Sequence, residues 1–145
     1  MAFSFKNPLT IEQIHQFGAK TIATPLGIEF VEIGVDFLIA RMPVDSRTHQ
    51  PYGILHGGAS VVLAETLGSI ASQMMLDATT SQAPVGVEIN ANHLRQVASG
   101  WVYGKVTPIH IGRKLHVWDI KITDEQDKLV CISRLTVMIV ERPER

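Results

Sequence analysis

The stretch Gln50-Pro51-Tyr52-Gly53-Ile54-Leu55-His56-Gly57-Gly58-Ala59-Ser60-Val61-Val62-Leu63-Ala64-Glu65-Thr66-Leu67-Gly68-Ser69 decides how the rest of the chain must fold. A polar loop with proline and glycine turn chemistry runs into His-Gly-Gly, and a long helical pattern follows over roughly 57 to 76. That helix is apolar or small almost all round, so it needs cover on more than one side. It carries one carboxylate, Glu65. A helical glutamate is ordinarily a surface residue, but Leu63, Ala64, Leu67 and Ile70 leave this one little solvated face. An acid among apolar neighbours is unfavourable unless something pairs with it, which makes Glu65 a functional candidate.

Working outward, the flanking segments read as strands. Thr10-Ile11-Glu12-Gln13 has the form of a capping box and predicts a short helix ending near Gly18. Residues 27 to 43 read as two extended pieces with a turn at Gly34, and 44 to 55 as a loop. After the helix come four extended runs. In 84 to 95, Val85, Val87, Ile89 and Ala91 alternate with Glu88, Asn90 and Asn92. Residues 101 to 111 are β-branched and aromatic, and 114 to 123 set Trp118, Ile120 and Ile122 against Asp119 and Lys121. The run 129 to 140 is apolar on both faces, as for a strand covered on both sides. Residues 124 to 128 are the polar hairpin between the last two runs, and 141 to 145 a charged, frayed tail. The order β-β-α-β-β-β-β, with a helical extension over 1–25, predicts one α+β domain over 1–145: a curved antiparallel sheet wrapped around one central helix. A second subunit would add further cover.

Bulk properties narrow the function. A formal net charge of −1 gives no basic footprint for nucleic acid. The run from Gly57 to Leu76 has the length of a membrane span but holds Glu65, Thr66, Gln73 and three serines, so it reads as a buried core helix. The lone cysteine, Cys131, allows no intrachain disulfide and suits a reducing, cytoplasmic compartment. It reads as a buried structural thiol, and Trp101 and Trp118 read as packing residues. The N-terminus lacks the pattern of a signal peptide. His93, His110 and His116 form no close ligand pair, so no metal site is expected.

Elementary chemistry gives the central motif a role. The first turn of a helix offers unpaired N–H groups and a dipole that favours negative charge. Gly57 and Gly58 stand there, and without a β-carbon they let a ligand approach the backbone closely. Val61, Glu65 and Ser69 share one stripe at four-residue spacing. A carboxylate so placed can attack a carbonyl carbon or take a proton from water, and the sequence leaves both routes open.

The pattern also resembles a known family. Met42-Pro43-Val44-Asp45, Gln50 to Ser69, Glu88-Ile89-Asn90-Ala91-Asn92-His93 and Val117-Trp118 are similar to the hotdog-fold acyl-CoA thioesterases. The likeness is to the aryl-CoA branch, which acts on 4-hydroxybenzoyl-CoA, phenylacetate-pathway thioesters or, in menaquinone synthesis, 1,4-dihydroxy-2-naphthoyl-CoA. The stretch before Leu26 carries none of it. The resemblance implies that Glu65 is the nucleophile or general base and that the Gly57 N–H polarises the thioester carbonyl. Gln50 would lie near the reacting carbonyl, Ser69 would place a hydroxyl in the pocket, and His56 would contact substrate or support the loop. It implies no cofactor beyond the coenzyme A of the substrate. It also implies a homodimer, often paired into a tetramer, in which the loop of one subunit and the helix of its neighbour share a site.

His93, Arg95, Arg113 and Lys114 stand at strand ends and could hold coenzyme A phosphates. Three other readings compete. A hotdog dehydratase resembles a different pattern, in which Phe-Pro follows the histidine. A silent acyl-CoA-binding module could dispense with the carboxylate that this chain keeps. Cleavage of aryl thioesters from a carrier protein, as in siderophore proofreading, is not separated by the sequence.

Overall fold

The computed structural model describes residues 3–142. Eight elements follow one another: α1 (Ile11–Phe17), β1 (Glu29–Ile33), β2 (Leu38–Pro43), α2 (Gly57–Met75), β3 (Gln82–His93), β4 (Trp101–Ile111), β5 (Leu115–Thr123) and β6 (Leu129–Glu141). The strands form one antiparallel sheet in the order β1-β2-β4-β5-β6-β3. α2 touches β2, β3, β4, β5 and β6, so the sheet embraces it, which is the hotdog arrangement.

Local sequence chemistry accounts for the boundaries. The Thr10 hydroxyl accepts from Gln13 N at 3.1 Å while the Gln13 side chain accepts from Thr10 N at 2.9 Å, closing the capping box expected for α1. α2 starts at the first of the paired glycines and ends at Met75. Leu63, Ala64, Leu67, Ala71 and Met74 on this helix are fully buried, against Val102, Val106, Trp118, Ile120, Ile122, Leu135 and Val137 of the sheet. The β5 alternation is as read: Trp118, Ile120 and Ile122 face inward. In the 124–128 turn, Asp124 Oδ1 accepts from the N–H groups of Gln126 and Lys128, both at 2.9 Å. No described helix is long and apolar enough to cross a membrane.

Three expectations need correction. The alternation read in β3 does not run through, because the register slips between Gly86 and Glu88. Val87 is the extra residue of this bulge, and an extra residue reverses the phase of every side chain beyond it. Val85 and Val87 therefore stand exposed while Ile89 and Ala91 pack on the core. Second, β6 is covered on one face only within this chain: Cys131, Ser133, Leu135, Val137 and Ile139 are buried, whereas Arg134 and Met138 on the other face are exposed. Third, Glu141 is not frayed. It ends β6, its carboxylate accepts from Ser81 Oγ at 2.8 Å, and Arg142 N donates to Ser81 O. The rest of the expected tail lies outside the described residues.

One buried polar cluster ties α2 to β5. Trp118 Nε1–H donates to Ser72 Oγ at 2.7 Å, and Ser72 Oγ lies 2.9 Å from His116 Nδ1. An indole can only donate, so the serine hydrogen is free to go to the imidazole. His116 is thereby held neutral with its proton on Nε2, and burial pushes its pKa down to about 4 from an ordinary value of 6.5. The unfolded chain therefore takes up this proton at a higher pH than the folded one. The associated stability is complete above about pH 6.5 and is lost as pH falls toward 4, by up to about 3 kcal/mol. Urea unfolding at fixed protein concentration is expected to show this decline, and a His116→Gln variant is expected to flatten it; an unchanged slope in the variant would exclude His116 as its source.

Candidate active site

The loop ahead of α2 is pinned before the helix begins. Thr48 Oγ1 donates to Pro43 O at 2.7 Å, His56 N to Thr48 O at 2.8 Å and Leu55 N to Val97 O at 2.8 Å. Arg47 grips the Asp45 carboxyl at 2.7 Å and holds its pKa down to about 2. Gln50 turns back on its own loop: its side-chain oxygen accepts from Tyr52 N, and its carbonyl accepts from Gly53 N at 2.9 Å.

His56 is the N-cap of α2. Its Nδ1 accepts from Gly58 N at 2.7 Å, which puts the proton of the neutral ring on Nε2. That bond occupies the Gly58 N–H and leaves the Gly57 N–H with no acceptor among the described residues. The His93 ring rests over Gly57, so that a β-carbon there would meet His93 Nε2 at 2.7 Å. Gln50, Gly57, Ser60, His93 and Arg95 line one cavity of about 400 Å³. A free backbone donor, a loop amide and two basic side chains thus converge on one space. This is chemistry for an oxyanion and an anionic tail.

Glu65 lies elsewhere. Half-buried on α2, it directs Oε1 over β3 at Gly86, where a β-carbon would approach within 2.5 Å. A glycine is required there for the carboxylate to sit so close to the strand. Glu65, Thr66 and Ser69 form one side of a second cavity, of about 500 Å³. The other side was not foreseen from sequence: it comes from Ile14, Phe17, Ile22 and neighbours, within the stretch that carried no family likeness. The one available signal was the capping box with Ile14 on the buried side of the helix that follows.

The two cavities share no lining residue. Gly57 and Glu65 are eight residues apart on one α-helix, which is about 12 Å along its axis. A reacting carbonyl needs its donor and its attacking group each at about 3 Å, so one chain alone does not bring the pair together. Arg113 is also remote from His93 and Arg95. It sits exposed in the β4–β5 turn beside Lys114, whose carbonyl accepts from Ile139 N, whereas His93 pairs with Cys131 toward the other end of β6.

Known proteins share this architecture. A solved thioesterase from Haemophilus influenzae superposes with a TM-score of 0.93 at 45% identity, covering 99% of each chain. The chain is 48% identical over 136 residues to the 1,4-dihydroxy-2-naphthoyl-CoA hydrolase of Escherichia coli, spanning 94% of this chain and 98% of that protein. It is 46% identical over 136 residues to the proofreading thioesterase EntH of Cronobacter turicensis, with the same coverage. Residues 52–131, from the loop ahead of α2 into β6, match the family described as Thioesterase superfamily. With its sheet-wrapped helix, its glycine donor and its half-buried helical carboxylate, the chain is a hotdog-fold hydrolase of the thioesterase superfamily.

Proposed function

We propose that this thioesterase hydrolyses an aromatic acyl-CoA, with 1,4-dihydroxy-2-naphthoyl-CoA as the leading substrate, in a site shared by two copies of the chain. The observation that carries the reading is the separation of two complementary half-sites, one holding the donor and the other the carboxylate. β3 supplies a means of joining them. It is an edge strand of twelve residues with exposed Val85 and Val87, whereas the opposite edge, β1, has five residues and a register slip of its own. A long open edge is a template for another strand. Antiparallel pairing of β3 with its own copy sets the His93 end of one strand beside the Gly86 end of the other. The Gly57 N–H of one subunit then faces Glu65 of its neighbour.

In this site the Gly57 N–H donates to the thioester carbonyl oxygen, whose negative charge grows as the carbon is attacked. Gln50 stands beside that oxygen, His56 holds the helix entrance in shape, and Ser69 offers a hydroxyl one turn beyond Glu65. Glu65 either attacks the carbonyl carbon, breaking the C–S bond to expel the coenzyme A thiolate and leave a mixed anhydride that water then opens to the free acid and the Glu65 carboxylate, or takes a proton from a water that attacks that carbon and displaces the same thiolate. His93 and Arg95 take the coenzyme A phosphates, and Arg113 has no part in that pocket within one chain. Each role is filled by a side chain or a backbone N–H, so coenzyme A enters as part of the substrate and no other cofactor is used. The assembly is a homodimer or a dimer of dimers, working in the cytoplasm where acyl-CoA is made. The likeness to EntH supports a second reading, release of misloaded aryl groups from a carrier protein. A preference for the carrier-bound thioester over its coenzyme A counterpart would favour it.

Replacing Glu65 by Gln keeps the shape and removes the basic oxygen. Steady-state assays with benzoyl-CoA should show kcat/KM lower by about 100- to 10,000-fold with an unchanged circular dichroism spectrum. Full activity in Glu65→Gln would refute the mechanism.

A hybrid experiment tests the shared site. Gly57 is the first residue of α2, where proline is tolerated, and His56, at φ −70° and ψ 129°, already has the backbone that a following proline requires. Gly57→Pro therefore deletes the donor, while Gly57→Ala adds a β-carbon and keeps it. Purified hybrids of Glu65→Ala with Gly57→Pro subunits should regain activity through one intact site, although neither parent is active. No activity in confirmed hybrids would place both groups in one chain.

A further inference from the structure

The cavity beside Glu65 is walled on one side by a segment that has no role in the mechanism above. α1 and the turns after it, residues 14–28, form its outer wall. This wall is built and anchored. Phe30 N donates to His15 Nε2 at 2.9 Å, fixing α1 to β1. Thr21 Oγ1 and Thr24 Oγ1 donate to Gly18 O and Ala19 O at 2.7 and 2.8 Å, and Ile28 N donates to Ala23 O at 3.0 Å. Ile14, Ile28, Phe30 and Ile70 are buried at the base, whereas Phe17 and Ile22 are 65% and 56% exposed at the rim. Large apolar side chains at the mouth of a cavity whose far side carries a carboxylate are placed to meet an apolar ligand.

We infer that residues 14–28 are the acyl-selectivity wall of this enzyme, with Phe17 and Ile22 as specificity-determining residues for acyl groups larger than a single ring. The inference rests on the proposed role of Glu65: the acyl group is bonded to the carbon that Glu65 acts on, so it must occupy the space in front of that carboxylate. The basic groups His93 and Arg95 lie in the other cavity, which leaves this one for the apolar end of the substrate. Size sets the class. A cavity of about 150 Å³ suffices for benzene, and this one offers about 500 Å³. A single ring would leave much of it unfilled, and a fused bicyclic acyl group would fill more of it.

The test compares 2-naphthoyl-CoA with acetyl-CoA in the full-length oligomer, using Phe17→Ala, Ile22→Ala and the double variant. Both side chains are mostly exposed, so the fold should survive, and circular dichroism checks this. The double variant should lose about tenfold in kcat/KM for 2-naphthoyl-CoA with acetyl-CoA essentially unchanged. A second readout does not need turnover. In calorimetry on the Glu65→Gln protein, S-(2-naphthylmethyl)-CoA should bind more tightly than coenzyme A, and the two alanine changes should remove most of that advantage. Equal losses for both thioesters, or an undiminished preference for the naphthyl thioether, would overturn the inference. Activity retained in Glu65→Gln together with a wall-dependent naphthyl preference would sink the catalytic reading and leave the wall in place.

Discussion

The rise of one helix constrains the rest of this molecule. Gly57 and Glu65 are eight residues apart on α2, about 12 Å along its axis, and the surrounding sheet keeps that distance from closing. Five strands grip the helix, and fully buried leucines, alanines and a methionine along it mesh with the inner face of the sheet. The Gly57 N–H thus stands against His93 at one end of β3, and the Glu65 carboxylate lies over Gly86 nearer the other. Preorganisation of this kind suits catalysis, because donors already in position need no rearrangement as charge develops. The same rigidity keeps the two groups in separate cavities within one chain.

Polar groups hold the arrangement wherever apolar packing cannot. His56 turns from a sequence motif into a cap, and by occupying the Gly58 N–H it selects Gly57 as the donor left free. Ser72, with His116 and Trp118, fastens the helix to β5 through a cluster that is closed to solvent. Buried donors and acceptors are tolerable only when mutually satisfied, and here the hydroxyl serves both neighbours. Its role is to hold α2 in place, remote from the Glu65 carboxylate by two helical turns.

Much of this was legible in the sequence, for identifiable reasons. The capping box marks the start of α1 because two residues three apart satisfy each other's N–H groups, and that is local information. Alternation identified β5 because Asp119 and Lys121 mark its outer face opposite Trp118, Ile120 and Ile122. β3 misled because the bulge at Val87 changes the phase midway, and Gly86 carries no side chain to show which face it occupies. β6 misled because its outer face carries Ile132, Met138 and Val140, although one chain leaves Met138 exposed. Gln50 and Gly57, read from the loop motif, and His93 and Arg95, read as basic groups at a strand end, meet in one cavity, whereas Arg113, read with the latter two, does not line it. The wall from Ile14 to Ile28 was missed because its apolar residues resemble ordinary core and its role appears only when the chain folds over Glu65.

The most direct measurement is a crystal structure of the Glu65→Gln protein with S-(2-oxo-2-phenylethyl)-CoA, whose ketone stands where the thioester carbonyl would be. The ketone oxygen is expected to accept from the Gly57 N–H of one subunit while the residue 65 side chain beside the carbonyl carbon comes from its neighbour. A ketone held by both groups of a single chain, or by neither, would contradict it.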